Sequence, residues 1–426
     1  MPVIDVIKAR QIFDSRGTPT VQVEIHLADG GMGEFKTPSG ASTGKKEALE
    51  LRDGGARFGG KGVSQAVMHI QGEITRAVKG VNFSAQSELD RLLVELDGTP
   101  DKSRLGANAI LPVSAAFAKA LADHHGTPLY QSLASEKPCI LPVPLINVLN
   151  GGAHADNGLE VQEFMLVPWG APTFSESMRW GAECFYALKS VLKQKGLSLA
   201  VGDEGGFAPR LRDNSEALTL LSEAIVKAGF KLGAEVALGL DVAASEFFDE
   251  GSRTYRLGGQ AMSSSELLDW YSNMARSFAL CTIEDPFHED DHDGFKAITA
   301  QLGATLQIVG DDLFVTQKKY IEEGILNQEA TAVLIKMNQV GTISETLQAI
   351  TTAKTGGLNV VISHRSGETE DSTLADLAVA VNAGQIKTGS MSRSERLAKY
   401  NRLLVIEEEL GKEARFLGHK AFLNRR

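Results

Sequence analysis

The sequence predicts an α/β protein in which a small N-terminal α+β domain, residues 1–130, precedes a β/α barrel over residues 140–426. Three observations predict it. The first part reads as strand and then helices. In the second part, short apolar runs that end in polar residues alternate with helical patterns. Five of those polar positions recur at intervals of 23 to 28 residues.

In residues 20–27, Val21, Val23, Ile25 and Leu27 alternate with polar residues before a turn at Asp29-Gly30, which predicts a strand with one buried face. Helical spacing follows over 63–78, 84–96 and 107–123, each closed by a glycine soon after its last apolar position. Beyond the proline-rich stretch 138–144, helical patterns such as 215–228 and 344–354 alternate with the runs LAVGDEGG, VALGLDVAASEF, TIEDPF, QIVGDDLF, AVLIKMNQ, NVVISHRSG and IKTGS. Glu284, Asp311, Lys336, His364 and Lys387 lie 27, 25, 28 and 23 residues apart in turn. Each interval holds one strand and one helix, so polar groups collect at the carboxyl ends of successive strands, where barrel enzymes place their chemistry. The spacing fits an open sheet as well as a closed barrel.

Composition excludes several classes. With 43% hydrophobic and 23% charged residues the chain is neither disordered nor fibrous. A formal charge of -11 argues against a nucleic-acid footprint, which needs a basic surface. No run is long enough to insert in a membrane and the first residues lack a signal-peptide core, so a cytoplasmic location is expected. Cys139, Cys184 and Cys281 are odd in number and widely spaced, which suits reduced core thiols rather than disulfides or zinc. Two glycine-rich segments resemble phosphate loops: GASTGKK has one residue too few between its glycines, and GARFGGKG carries Gly62 where a Ser or Thr is needed. HEDDH at 288–292 matches a zinc-protease pattern by letter, but its composition is that of a loop.

Asp241, Glu284 and Asp311 each follow an apolar strand and should converge on one rim as hard oxygen ligands, a set suited to magnesium rather than zinc. Any one of them alone is as readily a helix cap. Lys336 follows AVLI, so its amine should stand beside these carboxylates, as a structural ion pair or as a general base whose pKa nearby cations lower. His364, Arg365 and Ser366 in HRSGE, with Lys387, add positive charge and donors for a small phosphorylated or carboxylated anion. Glu163 in VQEF and Glu204 in GDEGG are read as following earlier strands, and two carboxyls brought together should leave one protonated for donation.

The segments IFDSRG, PSGASTG, LNGGAHADN, VQEFM, GDEGGFAP, GLDVAASEF, IEDPF, DDLFVT, LIKMNQVGT, SHRSGETED and QIKTGSMSRSERLAKYN together resemble the enolase family, in its bacterial type, over nearly the whole chain. The resemblance implies a TIM-like barrel and the reversible dehydration of 2-phosphoglycerate to phosphoenolpyruvate in glycolysis and gluconeogenesis. It implies that Lys336 removes the C2 proton, while Glu204, aided by Glu163, helps the C3 hydroxyl leave. Asp241, Glu284 and Asp311 become ligands of one magnesium, and Ser42 of a second that arrives with substrate. Arg365 and Ser366 hold the phosphate and Lys387 the carboxylate, with His154, Gln162 and His364 as further substrate contacts. Two divalent cations on the resulting dianion would make so weakly acidic a proton removable.

The resemblance further implies a homodimer or an octamer of dimers, with no membrane insertion and no direct nucleic-acid binding. By analogy with some members, it extends to an RNA-processing or host-surface partner and to a cell-surface or secreted pool. Two rival readings follow from the same fold. A racemase or cycloisomerase acting on a non-phosphorylated acid has no need of HRSGE or the Ser42 loop, and a scaffold without catalysis would have a damaged base, acid or metal ligand.

Overall fold

The computed structural model describes residues 2–40 and 44–422. Ser42 lies outside the described residues. The chain opens with an antiparallel three-stranded sheet of β1 (Ile4–Phe13), β2 (Pro19–Leu27) and β3 (Met32–Lys36), in that order. The expected strand over 20–27 is β2. β3 alternates in burial as well, whereas β1 alternates less regularly and buries only Ile4 and Ala9. The helix Ala107–His124 packs on β2 and β3 and also touches barrel elements, so nearly every side is buried. Its run of alanines follows from that, since small side chains let a helix approach neighbours on both sides. The expected helix over 63–78 contains a π turn at Ile70–Ile74 between Ser64–His69 and Thr75–Val78.

Eight strands close into a barrel: β4 (Val143–Asn150), β5 (Glu163–Val167), β6 (Ala237–Asp241), β7 (Leu280–Glu284), β8 (Gln307–Gly310), β9 (Ala332–Ile335), β10 (Asn359–Ser363) and β11 (Gly384–Lys387), with β11 pairing back to β4. These strands are buried on both faces, which is why they read as continuous apolar runs. Val143, Met165, Val309, Leu334 and Val361 belong to an inner cluster that Ala421 caps, separate from the larger core between strands and helices. His419 packs tilted on Trp169 and Phe422 meets it edge-on, with ring centroids 4.4 and 5.2 Å away, so the last described residues plug the amino-terminal end of the barrel.

From β6 onward each barrel strand is followed by a helix, with a small antiparallel sheet over 248–262 between β6 and its helix, but the order before β6 is different. β5 is antiparallel to both β4 and β6, and two helices, Phe174–Gln194 and Asn214–Lys227, follow it before β6 begins. Two expectations are corrected here. Glu163 does not follow a strand but starts one, and it reaches the rim because β5 runs in reverse. LAVGDEGG ends no barrel strand either: Val201 and Phe207 bridge around a turn between the two helices, and Phe207 forms a second bridge to Leu149 of β4. Short apolar runs flanked by glycine look alike whether they span a barrel or merely cross its mouth.

Residues 288–291 form a loop, and Asp291 caps the helix His292–Leu302 by accepting a hydrogen bond from Gly294 N at 3.0 Å. The two histidines of HEDDH therefore share no helix face. Among the described residues no helix is long and apolar enough to cross a membrane. All three cysteines are free, but only two are core thiols: Cys184 and Cys281 are buried, whereas Cys139 is half-buried. Burial pushes the Cys184 thiol up to about 12 and raises that of Cys281 as well. A chromogenic disulfide should thus titrate one thiol in native protein and three after unfolding. Rapid modification of two or more in the folded state would contradict this packing.

Candidate active site

The barrel order sets the site. Asp241, Glu284 and Lys387 end their strands, and Asp311, Lys336 and His364 stand one residue beyond theirs. Register places Glu163 and Glu284 on either side of Asp241 at one level of the rim. Like charges directly opposed across strands repel one another, so this level needs a counter-charge. The Lys387 ammonium supplies it, lying 2.7 Å from Glu284 Oε1, 2.9 Å from Asp241 Oδ2 and 3.3 Å from Glu163 Oε1. Lys336 Nζ pairs with Asp311 Oδ2, and its backbone N–H donates to Thr316 Oγ1 at 2.9 Å. Gln339 Nε2 donates to Asp311 Oδ1 at 3.0 Å.

These residues surround a narrow cavity of about 30 Å³, and every expected site residue among the described ones lines it except Glu284, which is paired with the lining Lys387. A hollow of about 730 Å³ at the opposite end of the barrel, beside Trp169 and Phe422, is larger but gathers no acid, base and carboxylate cluster. Chemistry rather than size decides between them.

The acid side is built from two chain segments. The turn 202–206 closes on itself through Gly202 N, which donates to Gly206 O at 2.8 Å. Ser390 N donates to Glu204 O at 3.0 Å and Ser392 Oγ to Gly205 O at 2.6 Å, which fix the turn against the last strand-helix connection. Gly205 has φ +86°, and a Cβ there would stand 2.5 Å from Ser392 O, so only glycine fits. Glu204 Oε2 accepts from Asn147 Nδ2 at 3.0 Å. His154, Glu163 and Glu204 bring ligand atoms within 4.8 Å of one another.

Burial, then the Glu204 charge, raises the Glu163 carboxyl well above its ordinary value, so Glu163 is the member of the pair that keeps a proton. Burial works upward on Glu204 too, but His364, His154 and Arg396 outweigh it and hold Glu204 below the usual carboxylate range. Burial drives His364 down to about 4, so near neutral pH its support is that of a neutral imidazole. Burial opposes the charge on Lys336, yet Asp311 outweighs it and the amine is held above the ordinary lysine value. With carboxylates as its nearest charges, the amine thus moves opposite to the direction that divalent cations would impose.

The expected metal ligands are more open than a tight trio. Among the described residues Asp285, Asp311 and Asp312 form an all-carboxylate group with ligand atoms within 4.8 Å of one another, with Asp285 accepting the backbone N–H groups of Asp311 and Asp312, each at 2.8 Å. Asp285 adopts φ +41° to aim both oxygens there. Asp241, Glu284 and Asp311 each face an ammonium. All are oxygen donors, and two buried acceptors among their neighbours, Gln162 Oε1 and Glu163 Oε2, have no hydrogen-bond partner. Such a donor set fits a hard divalent cation.

Arg365 Nη1 donates to Glu47 Oε2 at 2.8 Å and Asn338 Oδ1 at 3.3 Å. Gly367 and Ser39 exchange both backbone hydrogen bonds, at 2.7 and 2.9 Å, and Arg16 reaches Ser366 Oγ, Ser39 Oγ and Gly40 O. The segment leading to residue 42 is therefore stitched to the segment that carries Arg365 and Ser366. Sequence reading missed Glu47, Asn147, Asp285, Gln339 and Arg396. Asp285 and Gln339 lie beside expected residues in IEDPF and LIKMNQ, which is a usable signal; Arg396 sits among ordinary helix charges and offers none.

The description "Enolase, C-terminal TIM barrel domain" belongs to the family model that matches residues 138–425, and "Enolase, N-terminal domain" to the one that matches residues 4–133. The chain belongs to the enolase family. Family membership makes it an enzyme of the lyase class with a small-molecule substrate. In this enolase-family barrel, the reversed β5 brings Glu163 to the same rim that six parallel strand pairings build.

Proposed function

We propose that this chain catalyses the reversible dehydration of 2-phosphoglycerate to phosphoenolpyruvate. One observation carries the reading: a largely buried amine and a buried carboxyl pair face a single cavity from opposite sides of the barrel. Lys336 follows β9, and Glu163 begins β5, four strands away around the ring. Lys336 takes the C2 proton, and Glu204, supplied by Glu163, gives a proton to the C3 hydroxyl as it departs as water. Arg365 and Ser366 hold the phosphate, Lys387 the carboxylate, and His154, Gln162 and His364 border the reacting carbons. Asp241, Glu284 and Asp311 would hold one magnesium, and Ser42 a second that comes with substrate. Bound divalent cations polarise the substrate carboxylate and so make the C2 proton more acidic. As the anionic substrate enters, Lys387 and Arg365 exchange their present carboxylate partners, Asp241, Glu284 and Glu47, for substrate oxygens.

The assay is the ultraviolet absorbance of phosphoenolpyruvate after purified protein meets 2-phosphoglycerate, with magnesium and with EDTA. A magnesium-dependent rise that EDTA abolishes is expected. No rise in folded, magnesium-loaded protein would overturn the assignment and favour a relative acting on a non-phosphorylated acid. By the same family reading the chain is cytoplasmic and assembles as a homodimer, which sedimentation at micromolar concentration tests: a monomer there contradicts it.

A further inference from the structure

Arg396 is wholly buried, and apart from its charge near Glu204 it has no part in the site as described. It lies on the helix Ser394–Leu410, and its stem passes over Gly389, where a Cβ would stand 2.7 Å from Arg396 Cδ. Its guanidinium donates through Nη1 to Arg365 O and through Nη2 to Ser366 O and Asp203 O, at 2.6, 2.5 and 3.2 Å. Nη1 also lies 2.6 Å from His364 Nδ1. One side chain thus joins the turn that bears Glu204 to the segment that bears His364, Arg365 and Ser366.

A guanidinium has five N–H donors and no acceptor, and it stays charged at any pH a folded protein meets. The contact with His364 Nδ1 therefore has one polarity: Nδ1 presents its lone pair. A neutral ring must then carry its proton on Nε2, which is buried, has no hydrogen-bond partner and lies 3.3 Å from Glu204 Oε2. Protonating the ring would set an Nδ1–H against a guanidinium N–H. The charged groups that face His364 are Glu204, Arg396 and Glu368.

We propose that Arg396 is a positioning residue that holds His364 as the neutral Nε2–H tautomer beside Glu204 and clamps the acid turn to the Arg365–Ser366 segment. His364 is thereby a donor that steadies the Glu204 carboxylate once its proton has left. It does not compete with the carboxyl pair as an acid. The inference rests on the acid role proposed for Glu204.

Protein carrying nitrogen-15 in its nine histidines tests it through two-bond proton–nitrogen spectra, with His364→Gln assigning the signal. Wild-type His364 should show a bare Nδ1 and a protonated Nε2 from about pH 8 down to about pH 5, through the range in which an ordinary histidine titrates. Arg396→Gln should mix the two tautomers, bring an imidazolium into that range, and lower kcat about 10²-fold with KM little changed, the low end of a positioned acid's contribution. Arg396→Lys keeps a charged donor and should restore the tautomer and part of kcat. A proton on Nδ1 in wild type overturns the proposal, and so does a folded Arg396→Gln with unchanged tautomer and kcat. If Arg396→Gln does not fold, the wild-type spectrum and the lysine variant decide: Nδ1–H in either one rejects the clamp's role on His364. The spectra need no turnover, so a failed dehydration assay beside the expected tautomer would reject the reaction and leave Arg396 as assigned.

Discussion

Lys336→Ala should lower the rate of dehydration by about three orders of magnitude, within the range expected for a positioned general base. The residue stands one position beyond β9, with 14% of its side chain exposed, and among the described residues no other amine on the rim lies across the cavity from Glu163 and Glu204. Lys387 stands two strands away and is surrounded by three carboxylates, so it cannot take over. Exchange of the C2 proton of 2-phosphoglycerate with deuterium oxide, followed by proton NMR, separates the two halves of the reaction. Lys336→Ala should stop both exchange and dehydration, whereas Glu204→Gln should stop dehydration and retain exchange. Exchange at the wild-type rate in Lys336→Ala would remove Lys336 from the role of base. Because the substitution leaves Asp311 without its ammonium, a loss of stability of about 3–5 kcal/mol is also expected, and unfolding curves must accompany the kinetics.

Glu284→Gln should separate stability from function. Around the Lys387 ammonium stand the carboxyl groups of Glu163, Asp241 and Glu284, so crowded that burial and then the Asp241 charge raise the Glu284 carboxyl well above its ordinary value, as burial and Glu204 raise that of Glu163. Making one of them neutral without changing its shape relieves the crowding, so in EDTA the variant should be more stable than wild type by about 1 kcal/mol. Magnesium should reverse the order, since a cation at a hundred times its Kd adds about 2.7 kcal/mol to a protein that binds it and little to one that has lost a ligand. Thermal unfolding in EDTA and in magnesium, with calorimetric titration of the metal, provides the test. A variant that gains as much from magnesium as wild type would take Glu284 out of the ligand set. A variant less stable than wild type in EDTA would mean that the Lys387–Glu284 pair outweighs the repulsion.

The parallel part of the barrel was legible in the sequence because each strand-helix unit has a nearly fixed length and ends its strand at the same rim. Glu284, Asp311, Lys336, His364 and Lys387 could therefore be placed on one rim from their spacing, and Asp241 from the apolar run that precedes it. Glu163 and Glu204 reach the same cavity by routes that spacing does not encode. A strand has no direction in its pattern of burial, so nothing in EFMLV reveals that β5 runs backward. The turn of Glu204 is held by Ser390, Ser392 and Arg396, nearly two hundred residues away in the chain, and such contacts leave no local mark. The runs beside them suggested both glutamates as a carboxyl pair and the resemblance gave them their roles, while Gly205 shows why the GDEGG letters matter: backbone conformation and close approach admit no side chain there.

The reversed strand also bears on how the barrel comes together in time. Each parallel pairing must wait for a helical crossover to form and dock, with the loop-closure entropy that this entails. β4 and β5 need only the connection 151–162, so theirs is the most local contact in the ring, of a kind that forms in roughly microseconds. On a ribosome this hairpin emerges before any other pair of barrel strands. His154, Gln162 and Glu163 all belong to it, so one corner of the cavity takes shape while Lys336 and Lys387 have yet to be synthesised.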